Sequence, residues 1–150
     1  MGEVLAPWMS APVRATMDDI VDMCLPVLIT DDNLKFRRAL ADVLGASSHF
    51  TIVGETASGE EAIEMVGRLR PALVVMDLNM PEGMDGIEAT RKVHDRWPAA
   101  AVVIVSTARP GEVPPEVGTC GALGYLPKDE LTPEALFNLW ALHQQPSEPA

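Results

Sequence analysis

Short apolar segments alternate along this chain with segments that have the spacing of amphipathic helices, and this alternation constrains the fold more than any other feature. The predicted strands span residues 26–30, 50–54, 72–77, 101–105 and, more weakly, 121–126. The predicted helices span residues 33–44, 58–69, 87–97 and 132–143. Such alternation favours an α/β fold, with a doubly wound parallel sheet, right-handed crossovers and helices on both faces.

The composition is consistent with one domain of this kind. The chain has 150 residues, of which 47% are hydrophobic and only 5% aromatic, so its core should consist mainly of aliphatic side chains. We expect the folded domain at residues 26–143, after a disordered or partly helical leader at 1–25 and before a flexible tail at 144–150. The formal net charge of −11 repels phosphate backbones, so this domain is not expected to bind nucleic acid.

The cysteines and the N-terminal residues indicate the compartment. Cys24 and Cys120 fit no metal-binding or redox spacing, which favours a reducing environment. No secretory signal pattern is found in the first 25 residues, and no apolar run has the length of a membrane span. A cytoplasmic protein without membrane contact is therefore predicted.

Residues capable of chemistry lie where the predicted strands end. They are Asp31 and Asp32, Asp77, Ser106 and Thr107, and Lys128. The carboxyl ends of parallel strands meet at one edge of a sheet, so these side chains should converge. Three neighbouring carboxylates repel one another and need a counter-charge, which a hard divalent cation such as Mg²⁺ supplies. Lys128 adds a positive charge suited to a phosphoryl oxygen.

Each of these residues also has a purely structural interpretation. Asp31 and Asp32 could cap the first helix, and Asp77 could be a polar strand end. Lys128 could be a solvated loop lysine, and the two hydroxyls could belong to an ordinary turn. Four such coincidences in this order are less probable than one shared site, so the pattern favours the site.

The motifs together resemble a known family. A strand followed by DD, a strand ending in D with NMP and later DGIEA, a strand followed by ST, and GALGYLPKD are similar to two-component response-regulator receiver domains, over about residues 26–143. The stretches TDDNLKFRRAL and VGETASGEEAI are most similar to receivers that precede helix-turn-helix output domains. The resemblance implies a flavodoxin-like sheet of order 2-1-3-4-5. It also implies a regulatory phosphoacceptor that is not an enzyme, with a sensor histidine kinase or a phosphotransfer protein as its partner.

The resemblance also implies roles for single residues. Asp77 is the expected phosphoacceptor, and Lys128 is expected to hold one phosphoryl oxygen. Asp32, Asp77 and the backbone carbonyl of Asn79 are expected to bind Mg²⁺ or Mn²⁺ directly, with Asp31 acting through a water molecule.

Phosphorylation is expected to move a hydroxyl and an aromatic side chain. Ser106 is a better candidate for the switch hydroxyl than Thr107, because a small residue usually follows that hydroxyl in the family and the spacing to Lys128 suits Ser106. Tyr125 occupies the aromatic switch position.

The chain departs from the family pattern in two places. The loop at residues 80–86 is one residue longer than usual, which could alter the metal-side loop and kinase docking. The family's fourth helix should be degraded or missing, because prolines and glycines crowd residues 108–120; about one turn could survive after Pro115. The last helix is apolar most of the way round, which indicates either extra core packing or a surface for a homodimer or a partner.

Other functions fit the residues less well. An EF-hand frame starting at Asp77 has Glu82 where glycine is required. The chain lacks a phosphate-binding GxxxxGK[ST] loop, zinc-ligand spacing and the DxDx[TV] motif of haloacid dehalogenase-type hydrolases. A pseudo-receiver, which binds or dimerises without phosphorylation, stays open as the alternative. The chain ends soon after the last helix, so a stand-alone receiver is expected.

Overall fold

A computed structural model describes residues 24–144 of the chain. The strands are β1 (Leu25–Thr30), β2 (Phe50–Thr56), β3 (Leu73–Asp77), β4 (Ala101–Ser106) and β5 (Gly124–Pro127). The α-helices among these residues are α1 (Leu34–Gly45), α2 (Gly59–Leu69), α3 (Gly86–Arg96) and α4 (Pro133–Gln144).

The expected bounds of the domain need small corrections. Leu25 belongs to β1 and not to a leader, because its N–H donates a hydrogen bond to the carbonyl oxygen of His49 at 2.7 Å. Gln144 is the last residue of α4 and not the first of a tail. The rest of the predicted leader and tail lies outside the described residues.

The sheet is parallel throughout and has the order β2-β1-β3-β4-β5, as predicted. Its register aligns the strand ends. Thr30 pairs with Met76, Asp77 with Val105, and Ser106 with Pro127. The residues at or just beyond these positions therefore lie at one level of one sheet edge, at the point where the strand order reverses between β1 and β3.

Helices cover both faces of the sheet, because side chains along each strand point alternately to the two sides. On one face α1 and α4 pack through Leu40, Leu44, Leu136 and Trp140. On the other face α2 and α3 pack through Ala62, Val66, Ala89 and Val93. The central strands β3 and β4 are buried almost throughout, as expected of a sheet covered on both sides. No helix within residues 24–144 is long and apolar enough to cross a membrane.

Side-chain caps fix where the helices begin. Ser58 accepts a hydrogen bond from the N–H of Glu61 at 3.2 Å, which confirms the predicted start of α2. Asn33 caps α1 by accepting from the N–H of Phe36 at 3.1 Å. Asp31 and Asp32 are therefore not the N-cap of this helix.

The segment between β4 and β5 contains only two short 3₁₀ turns, Pro110–Glu112 and Pro115–Gly118. This confirms the prediction of a degraded helix and a surviving turn after Pro115. Val117 and Cys120 are buried against the α2–α3 face and Val113 packs beside them, so the segment keeps a helix-like apolar stripe while proline removes the backbone donors.

The fifth strand begins three residues later than predicted, at Gly124 instead of residue 121. Gly121 has φ +95°, a left-handed conformation that interrupts an extended strand. The last helix, α4, is apolar most of the way round, as predicted, but is only partly covered: Leu139 lies against Gly124, whereas Leu142 is 68% exposed.

Candidate functional site

Three carboxylates converge at the carboxyl ends of β1 and β3. One oxygen from each of Asp31, Asp32 and Asp77 can be chosen so that all lie within 4.8 Å of one another. Asp31 and Asp77 are buried, at 1% and 4% exposure, and Asp32 is exposed. The sheet brings Asp31 and Asp77 together because their strands are neighbours in register, although 46 positions separate them in the chain.

Lys128 lies between the two buried carboxylates. Its Nζ is 2.7 Å from Asp31 Oδ2 and 3.6 Å from Asp77 Oδ1, and its side chain is 16% exposed. The contact with Asp31 is an ion pair at hydrogen-bond distance, and no other group among the described residues donates to the buried Asp31 Oδ2. One ammonium against three carboxylates leaves the cluster short of positive charge.

The electrostatics of the cluster are clearest at Asp77. Burial, followed by the nearby Asp31 carboxylate, raises the pKa of the Asp77 carboxyl to about 7. Lys128 and the N–H of Asn79 oppose this by lowering the pKa, and Asp32 raises it further. A nearby cation would favour the ionised form.

The hydroxyl of Ser106 faces the same site. It is fully buried and accepts hydrogen bonds from Asn79 Nδ2 and from the N–H of Ala108, both at 3.2 Å. Thr107 lies just beyond the end of β4 and is exposed. The Tyr125 hydroxyl donates to the carbonyl oxygen of Ala108 and lies 3.4 Å from that of Ser106.

The long loop between β3 and α3 is held at both ends. Glu60 accepts a hydrogen bond from the N–H of Met84 at 2.7 Å, which lowers the pKa of the Glu60 carboxyl. The N–H of Gly86 donates to the carbonyl oxygen of Leu78 at 3.2 Å. Gly86 packs so closely that a Cβ there would lie 2.3 Å from the carbonyl oxygen of Asp77.

Two residues of α1 contact the site and were not predicted to belong to it. The Arg37 guanidinium donates to the backbone carbonyl of Asp31 at 2.7 Å and pairs with Glu55 at 3.1 Å. The ring of Phe36 lies under the ammonium of Lys128, with Nζ 4.3 Å from its centroid. From the sequence alone, Phe36 belongs to the apolar stripe of α1. The only sequence signal for a place at the site is its position three residues after Asn33, the N-cap that follows Asp31 and Asp32.

Comparisons with known proteins agree with this geometry. The family described as response regulator receiver domain matches residues 27–139. The nitrate/nitrite response regulator protein NarL of Escherichia coli (strain K12) is 36% identical over 118 residues, which are 79% of this chain and 53% of that protein. A crystal structure of a LuxR-family two-component response regulator from Aurantimonas sp. SI85-9A1 has a TM-score of 0.71 and 26% identity, and the match covers 81% of this chain and 85% of that chain.

A further group of relatives corrects one expectation. The protein-glutamate methylesterase/protein-glutamine glutaminase 4 of Myxococcus xanthus (strain DK1622) is 41% identical over 113 residues, which are 74% of this chain and 31% of that protein. The expectation that this protein is not an enzyme is contradicted, because several of the relatives that share this domain carry the names of enzymes. The chain spans about a third to a half of the lengths of these curated relatives.

The predicted resemblance to two-component receiver domains is confirmed, and the similar proteins include NarL and a regulator described as LuxR-family. The match covers most of the chain, and the five-stranded order and the strand-end carboxylates agree with it. The chain therefore belongs to the response regulator receiver domain family of two-component systems.

Proposed function

We propose that this domain accepts a phosphoryl group on Asp77 from a histidine kinase or a phosphotransfer protein, with Mg²⁺ bound, and that this changes its interaction surface. The observation that carries the proposal is the convergence of Asp31, Asp32 and Asp77 within 4.8 Å, with Lys128 between the two buried members.

Cys24 and Cys120 are free thiols, which supports a cytoplasmic location.

The residues fit a hard divalent cation. Carboxylate oxygens are the ligands that Mg²⁺ prefers, and the buried Asp31 Oδ2 has only the Lys128 ammonium as a partner among the described residues. Three carboxylates against one ammonium leave up to two negative charges, which a divalent cation would balance. Asp32, Asp77 and the backbone carbonyl of Asn79 would hold it directly, and Asp31 would support it. Mn²⁺ has similar ligand preferences and is a suitable substitute.

Asp77 would act as the nucleophile. Its ionised carboxylate attacks the phosphorus of the donor, the bond from phosphorus to the donor nitrogen breaks, and an acyl phosphate forms on Asp77. Bound Mg²⁺ would neutralise charge on the phosphoryl oxygens, which is the main electrostatic requirement of phosphoryl transfer. Because its pKa is about 7 without metal, part of the Asp77 population is protonated and unreactive at neutral pH.

Lys128 and Ser106 would then bind the new phosphoryl oxygens. Lys128 Nζ is already 3.6 Å from Asp77 Oδ1, so a small movement away from Asp31 brings it to an oxygen attached there. Ser106 would exchange its hydrogen bonds with Asn79 and Ala108 for one to the phosphoryl group. Ala108 lies in the segment after β4, and its carbonyl accepts a hydrogen bond from the Tyr125 hydroxyl. A shift of the Ala108 backbone would therefore move both Tyr125 and this exposed segment.

Intact mass measurement after incubation with Mg²⁺ and acetyl phosphate tests the proposal. We expect the wild-type chain to gain one phosphoryl group, and Asp77→Asn to remain folded and gain none. Asp85→Asn is a suitable control, because this carboxylate caps α3 outside the cluster. Undiminished labelling of Asp77→Asn would contradict the assignment of Asp77.

One observation favours a second candidate function. The two 3₁₀ turns replace the helix that would relay the phosphorylation signal, as in a pseudo-receiver that binds a partner without phosphorylation. That function predicts no mass gain in the wild type and partner binding that is unaffected by Asp77→Asn. The retained carboxylates and Lys128 favour the phosphoacceptor.

A further inference from the structure

The Lys128 ammonium has three neighbours, and only two of them carry charge. Asp31 lies at 2.7 Å, Asp77 at 3.6 Å, and the ring of Phe36 at 4.3 Å from Nζ to the centroid. An aromatic face attracts a cation through its quadrupole, most strongly where water is excluded.

A short network of hydrogen bonds sets the position of the ring. The N–H of Asn33 donates to Asp31 Oδ1 at 2.8 Å, and the Asn33 side chain accepts from the N–H of Phe36 at 3.1 Å. The same turn of chain therefore presents the Asp31 carboxylate and the Phe36 ring to one ammonium. Phe36 is half-buried at the edge of the α1–α4 core, which restricts its movement.

The charged neighbours pull the ammonium in different directions. Asp31, at 2.7 Å, attracts the Lys128 ammonium more strongly than Asp77 does at 3.6 Å. The ammonium therefore rests closer to Asp31 than to Asp77, the proposed phosphoacceptor. A cation among the acidic residues offsets the charges of Asp31 and Asp77 and weakens both of their ion pairs with Lys128. The Phe36 ring carries no net charge and no metal-ligating atom, so its attraction for the ammonium persists.

We propose that Phe36 is a positioning residue that keeps the Lys128 ammonium in the site, within reach of Asp77, when a bound cation weakens its ion pairs with the carboxylates. This inference rests on the proposed phosphoacceptor function. It makes Phe36 act through Lys128, without contact with the phosphoryl group or the metal. The competing interpretation is that Phe36 contributes only apolar packing at the end of α1.

Two substitutions separate these interpretations. Phe36→Leu keeps an apolar side chain of similar volume and removes the aromatic face, whereas Phe36→Tyr keeps the ring. If packing alone matters, both variants should behave alike once their unfolding free energies are taken into account. If the ring positions Lys128, Phe36→Leu alone should be impaired.

The first measurement needs no phosphoryl transfer. The chain has lysines only at positions 35, 92 and 128, so lysine-selective ¹³C labelling with Lys→Arg assignment variants resolves the methylene next to the Lys128 ammonium. We expect its protons to resonate upfield in the wild type and in Phe36→Tyr, because they lie over a ring. Phe36→Leu should lose this shift. An unchanged resonance in Phe36→Leu would overturn the inference.

The second measurement is the rate of phosphorylation as a function of acetyl phosphate concentration at saturating Mg²⁺. Phe36→Leu should lower the apparent second-order rate constant about threefold to tenfold, as expected for one desolvated cation–π contact. Phe36→Tyr should remain close to the wild type, and Mg²⁺ affinity should be similar in all three proteins. Equal rates in Phe36→Leu and Phe36→Tyr would overturn the inference alone, whereas no labelling of the wild type would overturn the proposed function and this inference with it.

Discussion

Replacing Asp77 with asparagine should stabilise the metal-free domain, and the gain should grow with pH. The pKa of the Asp77 carboxyl is 3.8 in the unfolded reference and about 7 in the folded domain. As pH rises from about 4, the unfolded chain releases this proton while the folded domain still holds it, so unfolding becomes more favourable. Above about pH 7 both states are ionised and the penalty is constant.

The size of the effect follows from the difference of about three pKa units. Each unit corresponds to about 1.4 kcal/mol, so the penalty reaches at most about 4 kcal/mol above neutral pH. Asp77→Asn removes the charge and retains an oxygen that can accept from the N–H of Asn79, a hydrogen bond of 3.4 Å in the wild type. The free energy of unfolding of the variant, minus that of the wild type, should therefore rise by about 2 to 4 kcal/mol between pH 4.5 and pH 8.

Urea unfolding followed by tryptophan fluorescence, with a chelator present, measures this difference. Asp95→Asn, which removes an exposed carboxylate from α3, is the matched control for a change in net charge. Repeating the series with saturating Mg²⁺ should reduce or reverse the gain, since the cation favours the ionised wild-type cluster. A pH-independent difference, or an asparagine variant less stable than the wild type at pH 8, would refute the electrostatic reasoning.

Three other predictions concern single residues of the site and its loops. Asp32→Ala should weaken Mg²⁺ binding about tenfold or more in a calorimetric titration and should raise metal-free stability, because Asp32 raises the pKa of Asp77; unchanged affinity would count against the metal site. Gly86→Ala should destabilise the domain by about 3 kcal/mol or more in urea unfolding, since its Cβ would lie 2.3 Å from a backbone oxygen. Gly118→Ala, where a Cβ meets nothing within 4 Å, should change stability by less than about 0.5 kcal/mol in the same assay, and an equal loss in both variants would exclude the steric explanation.

The strand ends were predictable because the apolar runs stop at residues with charged or hydroxyl side chains. The buried strand before Asp77 and the pair Asp31–Asp32 indicated the acidic cluster without any knowledge of contacts. Ser106 as the switch hydroxyl stays a prediction; the structure shows that Ser106 is buried at the end of β4 and that Thr107 is exposed just beyond it. The order of the strands, in contrast, came from resemblance to a family, since periodicity alone does not say which strands are neighbours.

Other features depend on approach distances that sequence patterns do not contain. The shorter distance from Lys128 to Asp31 than to Asp77 is a property of the folded site. The start of β5 was predicted too early because residues 121–126 have a strand-like apolar pattern. That pattern does not reveal that Gly121 adopts a left-handed conformation and that the strand begins only at Gly124. The Glu60 contact with Met84 joins the first turn of α2 to the loop before α3, two segments that no local pattern connects.

The paired 3₁₀ turns after β4 have a consequence for any partner that binds this face. Each turn is closed by i to i+3 backbone hydrogen bonds, among them those donated by Glu112, Val117 and Thr119, and residues 113–114 separate the two turns, so they do not form one helix. A helix melts cooperatively, whereas single turns open one at a time with little free energy. Amides there should exchange with solvent faster than those of α3. A partner that binds only one arrangement of the turns must offset the conformational entropy that is lost when the turns become ordered. Substitutions that stiffen the segment should therefore strengthen binding of that partner without adding a contact.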